Sequence, residues 1–307
     1  MPISQVRTKI NGTWTVLTYD SATGTYKGTI TAPSITSYNV NPGHYYPVTV
    51  EATNAAGTVA TKDDTDSTLG SALKLTVKEI TKPVIAITAP SAGAYLTTNT
   101  PSIAFTITDE ANGSGIKISS LAIKIDGGTA VTNTSNGVTV TSITNGYQVT
   151  YVPQTALTDG SHTVTVNIQD NDGNAATTAS RTFTVDTVAP TLAVTNPASD
   201  GTYTATAALT VAGNTNDVTS SPVTMTLKLN GTEQGTITVT DGSWTKAVTL
   251  VEGLNTLIAT ATDKAGKTTS VTRTIYLDTT VPTISAITIT PNPVNTNGSF
   301  TISVTVS

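Results

Sequence analysis

The chain has 307 residues, of which 37% are hydrophobic, 11% charged and 5% aromatic, and its formal net charge is −5. At about 100–200 residues per domain, this length predicts two to four domains. Threonine makes up more than a fifth of the residues, beside 23 Gly and 14 Pro, a composition typical of β structure with many turns. The absence of cysteine excludes disulfides and thiol chemistry. An acidic chain without a basic patch is not expected to bind nucleic acid.

A short block of sequence occurs three times, in the form Lys-Ile/Leu-Asn/Asp-Gly. It begins at Lys9, Lys124 and Lys228. The second and third copies each follow an alternating apolar segment. Because Asn-Gly and Asp-Gly readily adopt positive φ angles, each copy predicts a strand that ends in a tight hairpin turn.

Two further blocks mark the repeat. An alternating strand followed by an Asx-type turn occurs at 48–57, 164–173 and 257–266. The motif Asp-Thr-x-x-Pro occurs at 186–190 and 278–282, and Lys82-Pro83 occupies this place in the first copy, without the Asp. Proline cannot donate to a strand ladder and suits a linker or the start of a strand. The predicted domains are 1–82, divergent or incomplete, then 83–189 and 190–281, with 282–307 as the first strands of a further unit.

The complete units have about 90–107 residues each and contain roughly seven short alternating strands, the pattern of an immunoglobulin-like β-sandwich. No segment shows a convincing helical period. The predicted fold class is therefore all-β, with tandem immunoglobulin-like sandwiches in an elongated array.

Several motifs resemble bacterial Ig-like repeats. They are the Asp-Thr-x-x-Pro boundary, the Ala-Thr-Asp-x-Ala-Gly turn at 261–266 and the Gly-x-Asn-x-Leu segment at 253–257. The resemblance covers most of residues 83–307 and, more weakly, 1–82. Such repeats occur in bacterial surface adhesins and in tail or capsid proteins of bacteriophages. The resemblance therefore implies a sandwich fold and leaves the role open, because one fold hosts many functions.

The two outer segments are predicted to be incomplete. The first unit reaches the Lys-Ile-Asn-Gly motif at Lys9, so it lacks two initial strands. Residues Pro282–Ile289 and Phe300–Val306 resemble those two strands. Three interpretations remain open: further units follow residue 307, the segment 62–80 covers the first unit, or 282–307 of one copy completes the first unit of another.

Acidic residues near the unit junctions are candidate metal ligands. Calcium takes six to eight oxygen ligands and favours carboxylate-rich loops. The resemblance also implies calcium, because related adhesin repeats are stiffened by calcium between domains. The alternative is that these residues cap turns through their own backbone. The candidates are Asp109, Asp170, Asp172, Asp186, Asp263 and Asp278, with Glu110 beside Asp109.

The histidines and tryptophans favour structural roles. His44 lies beside Tyr45 and Tyr46, where either a carbohydrate contact or the cover of a sheet edge is expected. His162 occupies the position of Asn255 in the next unit, so it is not expected to act as a general base. Trp14 and Trp244 fall in alternating strands and are expected in the core or on a sheet face. No nucleophile elbow, P-loop or dinucleotide motif is present, and no enzyme is predicted.

The predicted function is that of a non-enzymatic structural protein of a bacteriophage virion, in the tail or a surface appendage. It would be made in the host cytoplasm, because Met1-Pro2 runs directly into a strand without a signal peptide. The alternative is a fragment of a bacterial cell-surface adhesin or surface-layer protein. The expected partners are other virion structural proteins or copies of the chain itself, with host-surface carbohydrate as an additional ligand. Membrane insertion is not expected, because no apolar stretch approaches 18 residues.

Overall fold

The computed structural model describes residues 2–40 and 42–307. They form two compact units, residues 1–185 and 186–307. Strands dominate both units, and the helical elements in the described ranges are three short 3-10 turns at Ser37–Asn39, Gly70–Leu73 and Ile118–Ser120. No helix among these residues has the length and apolar character that a membrane crossing requires.

The first domain consists of one sheet. Its strands pair in the order β3-β2-β1-β4-β5, and β6 pairs with β4. Among the described residues of this domain, the buried apolar side chains are Val6 and Tyr46. The strands are β1 (Ile3–Ile10), β2 (Thr13–Asp20), β3 (Thr25–Lys27), β4 (Tyr46–Asn54), β5 (Val59–Lys62) and β6 (Lys74–Leu75).

The second domain is a sandwich of two four-stranded sheets, ordered β11-β12-β9-β7 and β10-β13-β14-β8. The alternating sequence of β13 explains its place inside the second of these sheets, because Val164 and Val166 are fully buried against the other sheet while the neighbouring threonines face outward. The strands are β7 (Val84–Ala89), β8 (Tyr95–Leu96), β9 (Ile103–Thr108), β10 (Ala122–Ile125), β11 (Val138–Ile143), β12 (Gly146–Tyr151), β13 (Gly160–Asn167) and β14 (Ala179–Val185).

The third domain repeats this plan in the second unit. Its sheets are ordered β15-β17-β21-β20 and β16-β23-β22-β18-β19. Trp244 on β21 packs in the core with 2% of its surface exposed. The strands are β15 (Thr191–Asn196), β16 (Thr202–Thr204), β17 (Ala208–Asn216), β18 (Thr224–Leu229), β19 (Thr232–Glu233), β20 (Val239–Thr240), β21 (Ser243–Thr249), β22 (Gly253–Thr262) and β23 (Thr268–Leu277).

We call the sandwiches of the second and third domains the second sandwich and the third sandwich. They share a topological detail. In each, a short strand pairs in parallel with the last strand of its domain, β8 with β14 and β16 with β23. All other strand pairs of both sandwiches are antiparallel. The prediction of an all-β protein with tandem immunoglobulin-like sandwiches is thereby confirmed.

Residues 282–307 form an isolated hairpin of β24 (Ile284–Thr290) and β25 (Thr301–Val306). Its register places Ile287 opposite Val304 and Ile289 opposite Ile302, and alternate positions carry Thr or Ser. One face of the hairpin is therefore apolar and the other polar. An antiparallel pair also opens both sandwiches, as β7 with β9 and β15 with β17, with one short strand, β8 or β16, between the two in the chain.

Candidate metal centres

Each sandwich gathers three carboxylates from the same three places of its fold. One precedes the first strand by a few residues, at Glu79 in one sandwich and Asp186 in the other. The second directly follows β9 or β17, and the third lies in the turn after β13 or β22. In each group, one carboxylate oxygen from every residue lies within 4.8 Å of the others. We call Glu79, Asp109 and Asp170 the first acidic cluster, and Asp186, Asp217 and Asp263 the second acidic cluster.

The first acidic cluster is held in place by main-chain donors. The amide of Ser114 donates to Glu79 Oε1, and the amide of Gly115 donates to Asp109 Oδ2 at 2.7 Å. Asp170 accepts from the amide and the side-chain nitrogen of Asn174, at 2.8 and 2.7 Å. Asp170 is fully buried and Asp109 is 8% exposed. Two of the three carboxylates are thus fixed at a place that water barely reaches, and the half-buried Glu79 lies beside them.

Not all of this charge is balanced by the protein. Glu79 Oε2, Asp109 Oδ1 and Glu110 Oε2 are buried without a hydrogen-bond partner. A Cβ on Gly113 would lie 2.8 Å from Asp109 Oδ2, 2.9 Å from Glu79 Oε2 and 3.0 Å from Glu110 Cδ, so Glu110 adjoins the cluster. Burial, and next the neighbouring carboxyl of Glu110, raise the pKa of Glu79. Buried carboxylate oxygens without donors are costly unless a cation or a proton joins them.

The second acidic cluster is buried more uniformly. Asp186 is fully buried, and Asp217 and Asp263 are 8% and 6% exposed. The Ser220 hydroxyl donates to Asp186 Oδ2, and the Ser220 amide donates to Asp217 Oδ1 at 2.7 Å. The amide of Lys267 donates to Asp263 Oδ1 at 2.8 Å, while Asp263 Oδ2 has no partner.

The donor sets fit calcium. Every candidate ligand atom is an oxygen, carboxylates predominate, and each cluster contains a nine-tenths-buried carboxylate with an unpartnered oxygen, Asp109 or Asp263. Calcium prefers such oxygen-rich surroundings. A cation held by either cluster would supply the missing positive charge. It would also tie the segment that precedes the first strand to two loops of the same sandwich.

The structure brings together most of the predicted residues. Asp109 and Asp170 meet in the first acidic cluster, and Asp186 and Asp263 meet in the second. The alternative turn-capping role is also observed at Asp186, because its Oδ1 accepts a hydrogen bond from the amide of Val188.

Two predicted ligands lie elsewhere. Asp172 Oδ2 accepts hydrogen bonds from the Thr36 hydroxyl and from the Glu79 amide. It therefore binds the linker beside the first acidic cluster. Asp278 is exposed and accepts from the amide of Thr280 at 3.0 Å. Within the described ranges, no other carboxylate joins it in a cluster.

Sequence reasoning missed Glu79 and Asp217. The first boundary lacks the Asp of the motif, but Glu79 precedes Pro83 by four residues, as Asp186 precedes Pro190. Glu79 takes the structural place of that Asp. Asp217 follows β17 as Asp109 follows β9. Spacing from the boundary proline locates Glu79, and the end of the equivalent strand locates Asp217.

The first domain contacts the second sandwich around the first acidic cluster, within the unit of residues 1–185. Lys78 Nζ donates to the carbonyl of Asp172 at 3.2 Å, and Asn174 Nδ2 donates to the carbonyl of Glu79 at 3.1 Å. Asn39 Nδ2 donates to the carbonyl of Gly113. We call these contacts, with the hydrogen bond from Thr36 to Asp172, the first joint.

In the first domain, Asn54 occupies the place of Asp170 and Asp263. It keeps the turn, since its Oδ1 accepts from the amides of Ala56 and Thr58 at 2.9 and 3.0 Å. No group of three candidate ligands forms around it in the described part of the chain. The turn-forming role and the cluster-forming role of this position are therefore separable.

The histidines occupy different surroundings. His44 is exposed and stacks on Tyr38, with ring centroids 4.2 Å apart. His162 is buried between the Asp126 carboxylate and the Thr158 carbonyl. Trp14 is half-buried, with the Arg7 guanidinium 4.2 Å from its ring centroid.

The chain is similar to known domains and structures. Residues 79–187 match the family described as bacterial Ig-like domain, and residues 190–279 match the family described as glucodextranase, domain B. No curated protein matches the chain.

Solved structures of multidomain proteins are also similar. A tetra-tandem repeat from the extending region of a large adhesion protein shares 22% identity over 100% of this chain and 81% of its own, with a TM-score of 0.36. A three-Ig fragment of titin shares 12% over 90% of this chain and 88% of its own, with a TM-score of 0.45. Fibronectin(III)-like modules of Clostridium thermocellum CbhA share 16% sequence identity with this chain. The match covers 64% of this chain and 94% of the modules' chain, with a TM-score of 0.38.

The two sandwiches repeat one strand order, and the second sandwich coincides with the matched Ig-like domain. The chain therefore contains tandem Ig-like sandwiches, of which residues 79–187 match the bacterial Ig-like domain family.

Proposed function

We propose that this protein is a non-enzymatic structural spacer whose linkers are fixed by calcium. The observation that carries the proposal is the recurrence of one buried acidic cluster in two successive sandwiches. Each cluster includes an acid from the segment that leads into the first strand. A cation bound there restrains that segment, which is the property a spacer between attached parts requires.

The chemistry of the clusters supports a structural role for the cation. Catalytic metal sites keep an open coordination position for water or substrate. Here Asp170 and Asp186 are fully buried, and amides and a serine hydroxyl surround the carboxylates. A cation so enclosed has more to contribute to stability than to the activation of a substrate.

We propose the bacteriophage virion as the setting, with other virion structural proteins or further copies of the chain as partners and host-surface carbohydrate as an additional ligand. A bacterial surface adhesin is the second candidate, and the match to a bacterial Ig-like domain family favours it. Immunogold labelling with antibodies against the chain distinguishes them. Labelled phage particles support the virion, whereas labelled intact cells without phage support the adhesin.

Calorimetric unfolding of the full chain in calcium and in EDTA tests the calcium-dependent spacer. At a calcium concentration about 100 times Kd, binding stabilises the folded state by about 2.7 kcal/mol per site. We expect the transitions of both sandwiches to rise by several degrees. Asp109→Asn should abolish the shift for the second sandwich, and Asp217→Asn the shift for the third.

Asp241→Asn is the matched control, because Asp241 is exposed, lies outside both clusters and has the positive φ of 49° that asparagine accepts readily. This variant should keep both calcium-dependent shifts. Equal melting profiles of the unmodified chain in calcium and in EDTA would contradict the proposed function.

A further inference from the structure

The two acidic clusters differ in how much of their charge the protein itself balances. Around the first acidic cluster, Glu110 adds a fourth carboxylate, and three buried carboxylate oxygens have no hydrogen-bond donor. The second acidic cluster has three carboxylates, and one of their oxygens, Asp263 Oδ2, is buried without a donor. Fixed negative charge without donors is relieved only by a cation or a proton.

A serine near each cluster shows the same contrast. In the third sandwich, the hydroxyl of Ser220 donates to Asp186, and its amide donates to Asp217. In the second sandwich, the Ser114 amide donates to Glu79, but its hydroxyl accepts from the amide of Asp172. The Ser114 hydroxyl therefore accepts from the main chain, whereas the Ser220 hydroxyl donates to a carboxylate of its cluster.

We propose that the two clusters bind calcium in a fixed order. The first acidic cluster fills first, with Glu110 as an additional ligand, and the second fills at a higher calcium concentration. This inference rests on the proposed function, in which both clusters are calcium sites. Calcium affinity rises with the number of charged ligands, and relief of uncompensated buried charge adds to it in the first cluster.

The order has a structural consequence for the first joint. Glu79 belongs both to the first acidic cluster and to the linker. The Glu79 amide and Lys78 of this linker contact Asp172, which also accepts from the Thr36 hydroxyl of the first domain. Without a cation, repulsion among the ionised carboxylates should weaken the contacts of this linker. We therefore expect the first joint to depend on calcium more strongly than the segment that begins at Asp186, where the Ser220 hydroxyl donates to Asp186 without any cation.

Calorimetric titration of calcium into the chelator-treated full chain tests the order. We expect two binding steps whose dissociation constants differ tenfold or more. Glu110→Gln should weaken the tighter step tenfold or more and leave the weaker step unchanged, while Asp263→Asn should remove only the weaker step. Asp241→Asn should alter neither.

The other outcomes of the titration distinguish a wrong binding order from the absence of calcium binding. A single class of equal sites, or an effect of Glu110→Gln on the weaker step, contradicts the order while leaving calcium binding intact. No heat of binding, with no calcium retained by the chain in equilibrium dialysis, contradicts the proposed function itself.

Trypsin supplies a second readout that reports on the first joint alone. Lys78 is exposed and directly precedes Glu79, whereas the segment 186–189 contains no Lys or Arg. Cleavage after Lys78 should fall at least tenfold as calcium rises, with a midpoint at the tighter dissociation constant. Protection that follows the weaker step, or cleavage independent of calcium, overturns the assignment of the tighter site to this joint.

Discussion

The imidazole Nδ1 of His162 lies 2.7 Å from Asp126 Oδ2 in the second sandwich. The other ring nitrogen, Nε2, lies 2.7 Å from the carbonyl oxygen of Thr158. A carboxylate and a carbonyl both accept, so the ring satisfies both contacts only when both nitrogens carry hydrogen. When protonated, His162 is therefore a buried imidazolium that donates to both acceptors.

This arrangement predicts that the stability of the second sandwich depends on pH. Burial opposes the charged ring, but the Thr158 carbonyl and the Asp126 carboxylate outweigh it and raise the pKa of His162 above its ordinary value of 6.5. The stabilisation is then complete below pH 6.5 and is lost as the pH rises through the raised pKa. Urea unfolding in EDTA at pH 6 and at pH 8.5 should show the second sandwich weaker at pH 8.5. The control His44→Asn alters the exposed histidine and should keep this difference in stability. Equal stability of the second sandwich at pH 6 and at pH 8.5 would contradict a stabilising role for protonated His162.

The third sandwich shows which residues can replace the pair of His162 and Asp126. Asn255 and Asn230 occupy the two positions, and Asn230 Nδ2 donates to Asn255 Oδ1 at 3.1 Å. His162→Asn or Asp126→Asn alone should destabilise the second sandwich by about 1–3 kcal/mol, because a buried polar partner is lost. The double variant should recover at least half of the summed loss and should show no change between pH 6 and 8.5. Strictly additive losses in the urea midpoints would contradict direct coupling.

The hydroxyl of Thr36 is predicted to support the first joint. Thr36 is 5% exposed and donates to Asp172. Thr36→Val keeps the shape of the side chain and removes the donor, a loss of about 1–3 kcal/mol when an acceptor stays buried. Trypsin cleavage after Lys78 should accelerate several-fold. Thr8→Val is the matched control, since Thr8 is 6% exposed and its hydroxyl donates within the first sheet to the Thr49 carbonyl. Equal cleavage rates for the two variants would show that the Thr36 hydroxyl does not support the first joint.

We predict that the two sandwiches have separate cores and unfold independently. Phe183 and Leu227 are both fully buried, in the second and the third core respectively. Phe183→Ala should destabilise the second sandwich by about 3–5 kcal/mol, and Leu227→Ala the third by about 2–5 kcal/mol. Hydrogen exchange of core amides should accelerate only in the substituted sandwich. Acceleration in both would show that the cores unfold as one.

Much of the fold follows from the sequence because strand periodicity is a local signal. Val164 and Val166 alternate with threonine, and both are buried in β13. Pro83 and Pro190 precede β7 and β15 directly. These features depend on neighbouring residues and on the two-residue period of a strand.

The candidate centres were predictable only in part. Asp109, Asp170, Asp186 and Asp263 are located by the repeat, but burial of their carboxylates depends on how separate loops meet in space. Glu79 was missed because an Asp motif was sought, although a Glu reaches the same place. The exchange of His162 for Asn255 is visible in the sequence. Its counterpart, Asp126 for Asn230, acquires meaning only from the register that places Asp126 beside Thr163.

A crystal structure of the full chain grown in calcium, with an anomalous difference map, is the most direct test of calcium binding at the two clusters. We expect one anomalous peak within coordination distance of Glu79, Asp109 and Asp170, and a second within coordination distance of Asp186, Asp217 and Asp263. Maps without a peak at either cluster, from crystals in which calcium far exceeds the protein, would contradict the claim that calcium fixes these linkers.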